Sequence, residues 1–214
     1  MKYPKINTLW KRDNKKVFNI IEGDFSCPEF DAIKKWHITE KIDGRNIRVY
    51  FEFFNKSVIF KGRTDNANIP KFLLKKLESM FSHEKLVECF PTAEKVVLYG
   101  EGYGNKIQPV GYKYREDASF VLFDVLVDGW WLERENVEDI ADKLNIDIVP
   151  SLGIKTLPEA VDLVKRGFHS KISKQRLCSE GVVARSSPLM LFRNGNPIMW
   201  KLKFKDYINL KKRC

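Results

Sequence analysis

Five short segments of the sequence place charged side chains at the ends of predicted strands. The first is Glu40–Asn46, which sets Lys41 close to Asp43 and Gly44 at the edge of a strand. Glycine permits backbone angles that other residues avoid, and it lets a ligand approach the chain closely. By itself, this segment also fits a surface turn with solvated charges.

The other four segments each add acidic or basic groups to a strand end. They are Leu98–Glu101, Phe120–Val125 with its Phe123-Asp124 pair, Glu180–Val183, and Trp200–Lys203. Since side chains alternate along a strand, Lys201 and Lys203 should point to one side. Each segment is weak evidence alone, but the five in this order form a specific pattern.

The composition favours a folded, basic protein. The 214 residues carry 38 Lys and Arg against 28 Asp and Glu, so the net charge is 38 − 28 = +10. A surface of that sign attracts polyanions, which makes nucleic acid the favoured partner. No apolar run is long enough to span a membrane, and the N-terminus lacks the apolar core of a signal peptide. We therefore expect no membrane association and a cytoplasmic location.

The hydrophobic pattern predicts an α+β fold with mostly antiparallel sheets and inserted helices. Predicted strands cover residues 45–54, 58–60, 96–101, 120–127, 130–132, 180–185 and 198–204. Helices are predicted from Pro70, from a cap at Asn136, and from the capping box at Thr156 to a stop at Gly167. Trp130 and Trp131 should pack a hairpin. We expect one domain over residues 1–214, ending in a solvated basic run, Lys211–Arg213.

The five segments, together with Gly62–Thr64, resemble the motifs of the covalent nucleotidyltransferase superfamily, which contains ATP-dependent RNA and DNA ligases and messenger-RNA capping enzymes. The superfamily motif K-x-D-G is similar to Lys41–Gly44, and the further motifs are similar, in order, to Gly62–Thr64, Tyr99–Glu101, Phe123–Asp124, Glu180–Val183 and Lys201–Lys203. The resemblance covers residues 40–203. It implies a ligase-type, ATP-grasp-like core, here without an OB-fold.

The resemblance implies that Lys41 is a nucleophile that takes AMP from ATP and expels pyrophosphate. An ordinary lysine has a pKa near 10.4 and is mostly protonated at neutral pH. Activation therefore needs desolvation or nearby positive charge, which Lys201, Lys203 and a phosphate-bound metal would supply. By the same resemblance, these two lysines contact the α-phosphate, and we expect all three lysines to be catalytic.

The remaining roles also follow from the resemblance. ATP-binding residues are expected to be Glu40, Lys41, Asn46, Arg63, Glu101, Phe123, Glu180, Lys201 and Lys203. Phe123 would stack on adenine, and Arg63 would hold the ribose or a nucleic-acid phosphate. Mg²⁺ or Mn²⁺ would be bound by Glu101, Asp124 and Glu180, because such ions prefer oxygen ligands.

Asn46 favours RNA over DNA as the substrate. RNA ligases of the double-strand-sealing type often carry asparagine five residues after the nucleophilic lysine, where DNA ligases usually carry arginine. Arg48, seven residues after the lysine, is a candidate substitute for that arginine, so a minimal DNA ligase acting on nicks stays open. A capping-type guanylyltransferase and a non-catalytic nucleic-acid-binding module also stay open.

We expect no counterpart of the additional C-terminal domain that ligases and capping enzymes of this superfamily commonly carry, because only 11 residues follow Lys203. We therefore predict either a minimal RNA ligase, monomeric and sealing 5′-phosphate to 3′-hydroxyl ends, or one that depends on a partner protein for its grip on RNA or a nicked duplex.

Overall fold

The structure is a computed structural model that describes residues 1–13 and 19–207. The basic run Lys211–Arg213 lies outside these residues. The strands are β1 (Asn7–Thr8), β2 (Trp10–Arg12), β3 (Ile20–Phe25), β4 (Trp36–Glu40), β5 (Arg45–Glu52), β6 (Ser57–Gly62), β7 (Lys95–Gly104), β8 (Ala118–Val127), β9 (Trp130–Trp131), β10 (Asp147–Ile148), β11 (Ser151–Lys155), β12 (Gly181–Ser186) and β13 (Met199–Lys203). The helices are α1 (Glu29–Ala32), α2 (Lys71–Met80), α3 (His83–Cys89), α4 (Gly111–Tyr114), α5 (Arg134–Leu144) and α6 (Leu157–Arg166).

The chain forms two compact units. The first contains Met1–Tyr3, Asp43–Val149 and Ser173–Gln175, and the second contains the described parts of Pro4–Ile42, Pro150–Ile172 and Arg176–Cys214. The chain passes between the units several times, and one crossing falls between Ile42 and Asp43, inside the predicted nucleophile motif. The single domain over residues 1–214 stays a prediction.

The first unit is built on a six-stranded sheet. Its strand order is β10-β8-β7-β5-β6, and β9 pairs with β8. Apolar residues at alternate positions, such as Val49, Leu98 and Phe120, are fully buried in one hydrophobic core. Leu73 and Leu77 of α2 pack into the same core. The opposite face of β5, β7 and β8 carries polar and aromatic side chains of the candidate site.

The second unit is built on a five-stranded sheet of order β1-β13-β12-β4-β11. All neighbours are antiparallel except β1, which runs parallel to β13. The core of this unit contains Trp36 and Trp200, whose rings meet at a centroid distance of 5.6 Å, and Ala160 of α6 packs against them. The N-terminal ribbon of β2 and β3 forms a separate two-stranded sheet.

The predicted mixed α+β fold with mostly antiparallel sheets is confirmed. Helix α5, however, begins at Arg134, because Glu133 has extended backbone angles and takes the cap position that we predicted for Asn136. The predicted capping box of α6 is present, with Glu159 accepting a hydrogen bond from the Thr156 amide at 2.8 Å. The ATP-grasp-like core and the lack of an OB-fold stay predictions.

The two tryptophans after the Asp-Gly turn have different environments. Trp131 is 8% exposed and stacks on Tyr99 at a centroid distance of 5.4 Å, so it packs the hairpin as predicted. Trp130 is 76% exposed, so the prediction that it packs is wrong. The reason is that β9 continues the alternation of a strand, which turns neighbouring side chains to opposite faces.

Within the described residues, none of the helices combines the length and the hydropathy that crossing a membrane requires.

Candidate active site

Two lysines and one glutamate form an ionic cluster in the second unit. The Lys41 Nζ lies 2.5 Å from the Glu180 Oε2, and the Lys203 Nζ lies 2.5 Å from the Glu180 Oε1. Their side chains are 22%, 18% and 22% exposed for Lys41, Glu180 and Lys203, so a ligand still has access to them. One carboxylate is thus the counter-ion of two ammonium groups, and the cluster keeps a net positive charge.

The order of the strands brings these three residues together. Strand β12 lies between β4 and β13, and Gly181 at its start is opposite Lys203 at the end of β13. The Lys41 amide donates to the Gly181 carbonyl at 2.9 Å, just beyond the end of β4. Glu180 precedes Gly181 and therefore has one lysine on each side.

Gly181 is required at this place for steric reasons. Its φ is +148°, and a Cβ there would lie 2.2 Å from the carbonyl oxygen of Leu202 in the neighbouring strand. Real Cβ atoms do not approach a backbone oxygen so closely, so a side chain would push β12 away from β13. The glycine next to Glu180 therefore keeps the carboxylate between the two lysines.

The surroundings of Glu180 hold it ionised. Burial acts to raise the pKa of Glu180, but the charges and hydrogen bonds of Lys41 and Lys203 outweigh burial and lower the pKa below its usual value. The two positive charges therefore favour the ionised carboxylate.

Lys201 lies two residues before Lys203 on the same side of β13. The intervening Leu202 and the preceding Trp200 are fully buried in the core, which turns both lysines to the other side. Lys201 is opposite Val183 of β12 and Thr8 of β1. This is the shared face that the spacing predicts.

Glu40 is buried at the end of β4, next to the predicted nucleophile. It is 1% exposed, and its Oε2 accepts a hydrogen bond from the Lys171 amide at 2.8 Å. Burial raises the pKa of Glu40, although hydrogen bonds and the charge of Lys171 act in the opposite direction. The side chain therefore ties the strand end to residues 170–171, and its predicted contact with ATP stays a prediction.

Asn46 and Glu101 are directly opposite each other on β5 and β7 of the first unit. The Oδ1 of Asn46 is buried and has no hydrogen-bond partner in the part of the chain that the structure describes. Gly44 lies so close to β7 that a Cβ there would be 2.3 Å from the Gly102 carbonyl oxygen. The glycine of the motif therefore lets the chain cross β7 beside Glu101.

Phe123 and Asp124 sit at a bulge of β8. Tyr99 of β7 is opposite Asp124, whereas Gly100 is opposite Leu122, so Phe123 is the extra residue. The Tyr3 ring lies 4.9 Å from the Phe123 ring, and the Tyr3 hydroxyl donates to the carboxylate of Asp124, which is 3% exposed. Bulges often re-aim a side chain near a functional site. Asp124 thus anchors the N-terminal residues, and its metal-binding role stays a prediction.

Arg63 is exposed in the loop after β6. Arg48 contacts residues on both sides of Arg63 in that loop. The fully buried Arg48 donates to the Gly62 carbonyl at 2.7 Å and pairs with Asp65 at 3.0 Å. It also donates to the Tyr50 hydroxyl at 2.6 Å. These contacts give Arg48 a structural role in the loop, and its role as a substitute for the arginine of DNA ligases stays a prediction.

Within residues 1–13 and 19–207, no group of three or more His, Cys, Asp or Glu side chains is arranged to hold a metal ion. Magnesium bound to a nucleotide often takes only one or two carboxylates, together with phosphate oxygens and water. The metal-binding roles of Glu101, Asp124 and Glu180 therefore stay predictions.

Three contacts near the site could not be predicted from the sequence, namely those of Tyr3, of Asp65 and of the Lys171 amide. Each depends on a partner far along the chain, 121 residues away for Tyr3, 17 for Asp65 and 131 for Lys171. Neither a motif nor a local periodicity signals such a pair.

Residues 34–203, most of the chain, match the family model of RNA ligases. The chain therefore belongs to the RNA ligase family. This confirms the predicted superfamily, while the double-strand-sealing subtype and the minimal form stay predictions. Among curated proteins, a sequence search finds no match.

Solved structures of the RNA ligase of Naegleria gruberi have a similar fold. A mutant of that ligase with ATP and Mn aligns with a TM-score of 0.67 and 17% identity, covering 98% of this chain and 57% of that one. The same ligase with PPi gives 0.64 and 19%, with 96% and 63% covered. A mutant with AMP and Mn gives 0.63 and 17%, with 99% and 65% covered. The chain thus spans less than two thirds of the length of these ligases.

Proposed function

We propose that the protein is an ATP-dependent RNA ligase that seals 5′-phosphate to 3′-hydroxyl ends through a lysyl-AMP intermediate. The observation that carries this proposal is the cluster of Lys41, Glu180 and Lys203 in a chain of the RNA ligase family. Negative charge grows on the α-phosphate during nucleophilic attack, so a second lysine beside the nucleophile has a direct chemical use.

In the first step, the Nζ of Lys41 attacks the α-phosphorus of ATP. The N–P bond forms, the bond from the α-phosphorus to the bridging oxygen breaks, and pyrophosphate leaves with that electron pair. The Nζ of Lys41 gives up a proton to solvent in this step, and it must leave its contact with Glu180 to reach the phosphorus. Lys203, still charged, then faces the growing charge on the phosphate.

Two further transfers complete the reaction. A 5′-phosphate oxygen of the RNA attacks the phosphorus of lysyl-AMP, which breaks the N–P bond and returns Lys41 as the leaving amine. The 3′-hydroxyl of the other end then attacks the activated 5′-phosphate, loses its proton and displaces AMP. Each transfer exchanges one bond to phosphorus for another, so no other reactant is consumed.

The oxygen ligands of this chain fit a divalent cation. Glu180 is held ionised by its surroundings, and hard carboxylate oxygens are what Mg²⁺ and Mn²⁺ prefer. Glu180 would hold such an ion in the second unit, and Glu101 and Asp124 are the predicted ligands in the first. When bound, the ion would add positive charge against the triphosphate.

The other predicted ATP contacts are part of this proposal. Phe123 would stack on adenine, Arg63 would bind the ribose or a nucleic-acid phosphate, and Glu40 would support the nucleotide from the end of β4. The buried Oδ1 of Asn46, which lacks a protein partner among the described residues, supports a hydrogen bond to the nucleotide there. Lys201 would contact the α-phosphate.

We further propose that the substrate is an RNA end, or an RNA nick in a duplex, and that the protein acts in nucleic-acid repair in the cytoplasm. Asn46 supports the double-strand-sealing subtype, and the net charge of +10 supports a polyanionic partner. A monomer is the proposed state, and a partner protein would take over the grip on RNA if the isolated chain cannot seal.

The experiment measures the intact mass of the protein by mass spectrometry after incubation with ATP and Mg²⁺, and separately after incubation with GTP and Mg²⁺. We expect a gain of one AMP with ATP, and none in the Lys41→Ala variant. The matched control is Lys34→Ala, which removes an exposed lysine seven residues earlier and should keep the adduct. A GMP adduct would instead favour a capping enzyme, and no adduct with either nucleotide would contradict the proposal for the isolated chain.

Sealing itself needs a second assay on nicked duplexes. RNA or DNA strands are placed on either side of the nick, and joined product is separated by length. Sealing of RNA ends is expected, and a preference for DNA on both sides would favour the minimal DNA ligase.

A further inference from the structure

A basic groove borders Lys201 in the second unit. Its volume is about 770 Å³, and its charged lining residues are Lys5, Lys11, Arg12, Asp13 and Lys201. The lining thus has four cations and one carboxylate, an excess of three positive charges. All of these residues except Lys201 precede residue 34, where the match to the RNA ligase family begins. The groove is therefore a feature of the N-terminal strands of this chain.

The groove is continuous with the strand that carries the predicted phosphate-binding lysines. Strand β1 extends the sheet beyond β13, with Thr8 opposite Lys201, and the Leu9 amide donates to the Lys201 carbonyl at 3.0 Å. The chain then continues into β2, which carries Lys11 and Arg12. A ligand in the groove would therefore have Lys201 at one end.

A buried carboxylate connects Arg12 to the end of β13. The Nη2 of Arg12 lies 2.9 Å from the Oδ1 of Asp206, whose side chain is only 2% exposed. The other oxygen of Asp206 accepts a hydrogen bond from the Lys203 amide at 2.9 Å. Asp206 thus holds the guanidinium of the groove at a set place relative to the Lys203 backbone.

Lys11 is available to an incoming anion. Its partner Asp24 lies 2.8 Å away, and the two side chains are 56% and 45% exposed. Such a surface ion pair contributes little free energy, so a phosphate can replace the carboxylate at small cost.

We propose that this groove binds the phosphodiester backbone of the strand that is being sealed. The proposal rests on the proposed function, because it names the part of the nucleic acid that lies next to Lys201. A chain rising about 3.3 Å per residue spans at most roughly 13 Å from Thr8 to Arg12. Measured along the axis of a duplex, that length is the rise of about four successive phosphates on one strand. Pyrophosphate, the other phosphate source, has only two.

Binding in the groove should be independent of base sequence. The cations that line it recognise phosphate, and contacts to phosphate position a strand without reading its bases. The N-terminal strands would in this way supply a grip on the substrate beside the catalytic lysines.

The test is the double variant Lys5→Ala/Lys11→Ala against the matched control Lys34→Ala/Lys35→Ala. Both variants lose two positive charges, and Lys34 and Lys35 are exposed and lie outside the groove lining. The probe is a 5′-phosphorylated RNA oligonucleotide, and its affinity is measured over a range of salt concentrations. Loss of two phosphate contacts should lower the salt slope by about 1.4 and weaken binding by about 25-fold at 0.1 M salt.

The same samples distinguish the two phosphate sources. For each variant, formation of the AMP adduct is measured at increasing concentrations of pyrophosphate. Inhibition by pyrophosphate reports on the site that binds the leaving group of ATP. If the groove variant loses its sensitivity to pyrophosphate and keeps its RNA affinity, the groove holds the leaving group and the proposal is overturned. Equal RNA binding by the groove and control variants overturns it as well.

Failure of the proposed function has a different signature. It would appear as absence of the AMP adduct in the unmodified protein, whereas the groove is judged on RNA affinity alone. A protein that forms the adduct but binds RNA without Lys5 and Lys11 would keep its ligase assignment and lose this binding site.

Discussion

The contact between Glu180 and Lys203 should contribute measurably to stability, and a double-mutant cycle can isolate it. The cycle combines Glu180→Gln with Lys203→Met and measures the free energy of unfolding in urea for all four proteins. At the separation of 2.5 Å, Coulomb's law gives an attraction of roughly 2 kcal/mol in water and roughly 7 kcal/mol at an effective dielectric constant of 20. Desolvation of both groups cancels much of this. We expect a coupling energy of about 2 kcal/mol at pH 7, as for other hydrogen bonds between charged groups.

The chain offers a matched control at the same distance. Lys165 and Glu22 are also 2.5 Å apart, but their side chains are 32% and 44% exposed. Exposed pairs typically couple by less than about 1 kcal/mol. Equal coupling in the two cycles, or less than about 0.5 kcal/mol between Glu180 and Lys203, would refute the assignment of a shielded cluster.

The lowered pKa of Glu180 also predicts the direction in which this stabilisation changes with pH. The pKa of Glu180 is lower in the folded protein than in the unfolded chain. The unfolded chain then binds more protons between the two pKa values, so the stabilisation is present above the unfolded pKa, near 4.3, and is lost as the pH falls through the folded pKa. The coupling measured at pH 7 should therefore shrink at pH 3, and a coupling that is constant with pH would contradict this account.

Three further substitutions test contacts that support the site. Replacing the buried Arg48 with Met should cost about 3 kcal/mol in urea unfolding, because the Gly62 carbonyl loses its donor, and Arg48→Lys should recover little of it, since an ammonium cannot reproduce the planar contacts. Glu40→Gln should gain stability relative to the unmodified protein as the pH rises from 4 to 8 in denaturation curves, because burial raises the pKa of Glu40 and its ionisation in the folded state is unfavourable. Tyr3→Phe should lower the stability by about 1 kcal/mol in urea, because Asp124 loses a donor while the ring contacts are kept.

The predicted strands and helices of the interior agree well with the structure because their periodicity reflects burial on one side. Strand β5 alternates because Ile47, Val49 and Phe51 face the core. The three N-terminal strands lacked such a signal. Strand β1 has only two residues, and β2 and β3 form a ribbon whose side chains are mostly not buried. Strand β1 is formed by pairing with the distant β13, whereas β2 and β3 pair only with each other.

The candidate site was predictable to the extent that its residues occur in ordered motifs. The sequence order of Lys41, Glu180 and Lys203 indicated the cluster, although the carboxylate was assigned to a metal and not to the lysines. What the sequence could not indicate is strand order, because β12 pairs with β4 across 182 − 40 = 142 residues or more of the chain. The double contact of Glu180 is a consequence of that order.

Under the proposed function, the double contact of Glu180 makes ATP binding a competition. Lys41 and Lys203 share a single carboxylate. An incoming triphosphate, which brings more negative charge than one carboxylate does, would compete with Glu180 for the same ammonium groups. The released Glu180 would then be able to join the oxygen ligands of a divalent cation. The arrangement would therefore couple the release of Lys41 from Glu180 to the arrival of the nucleotide.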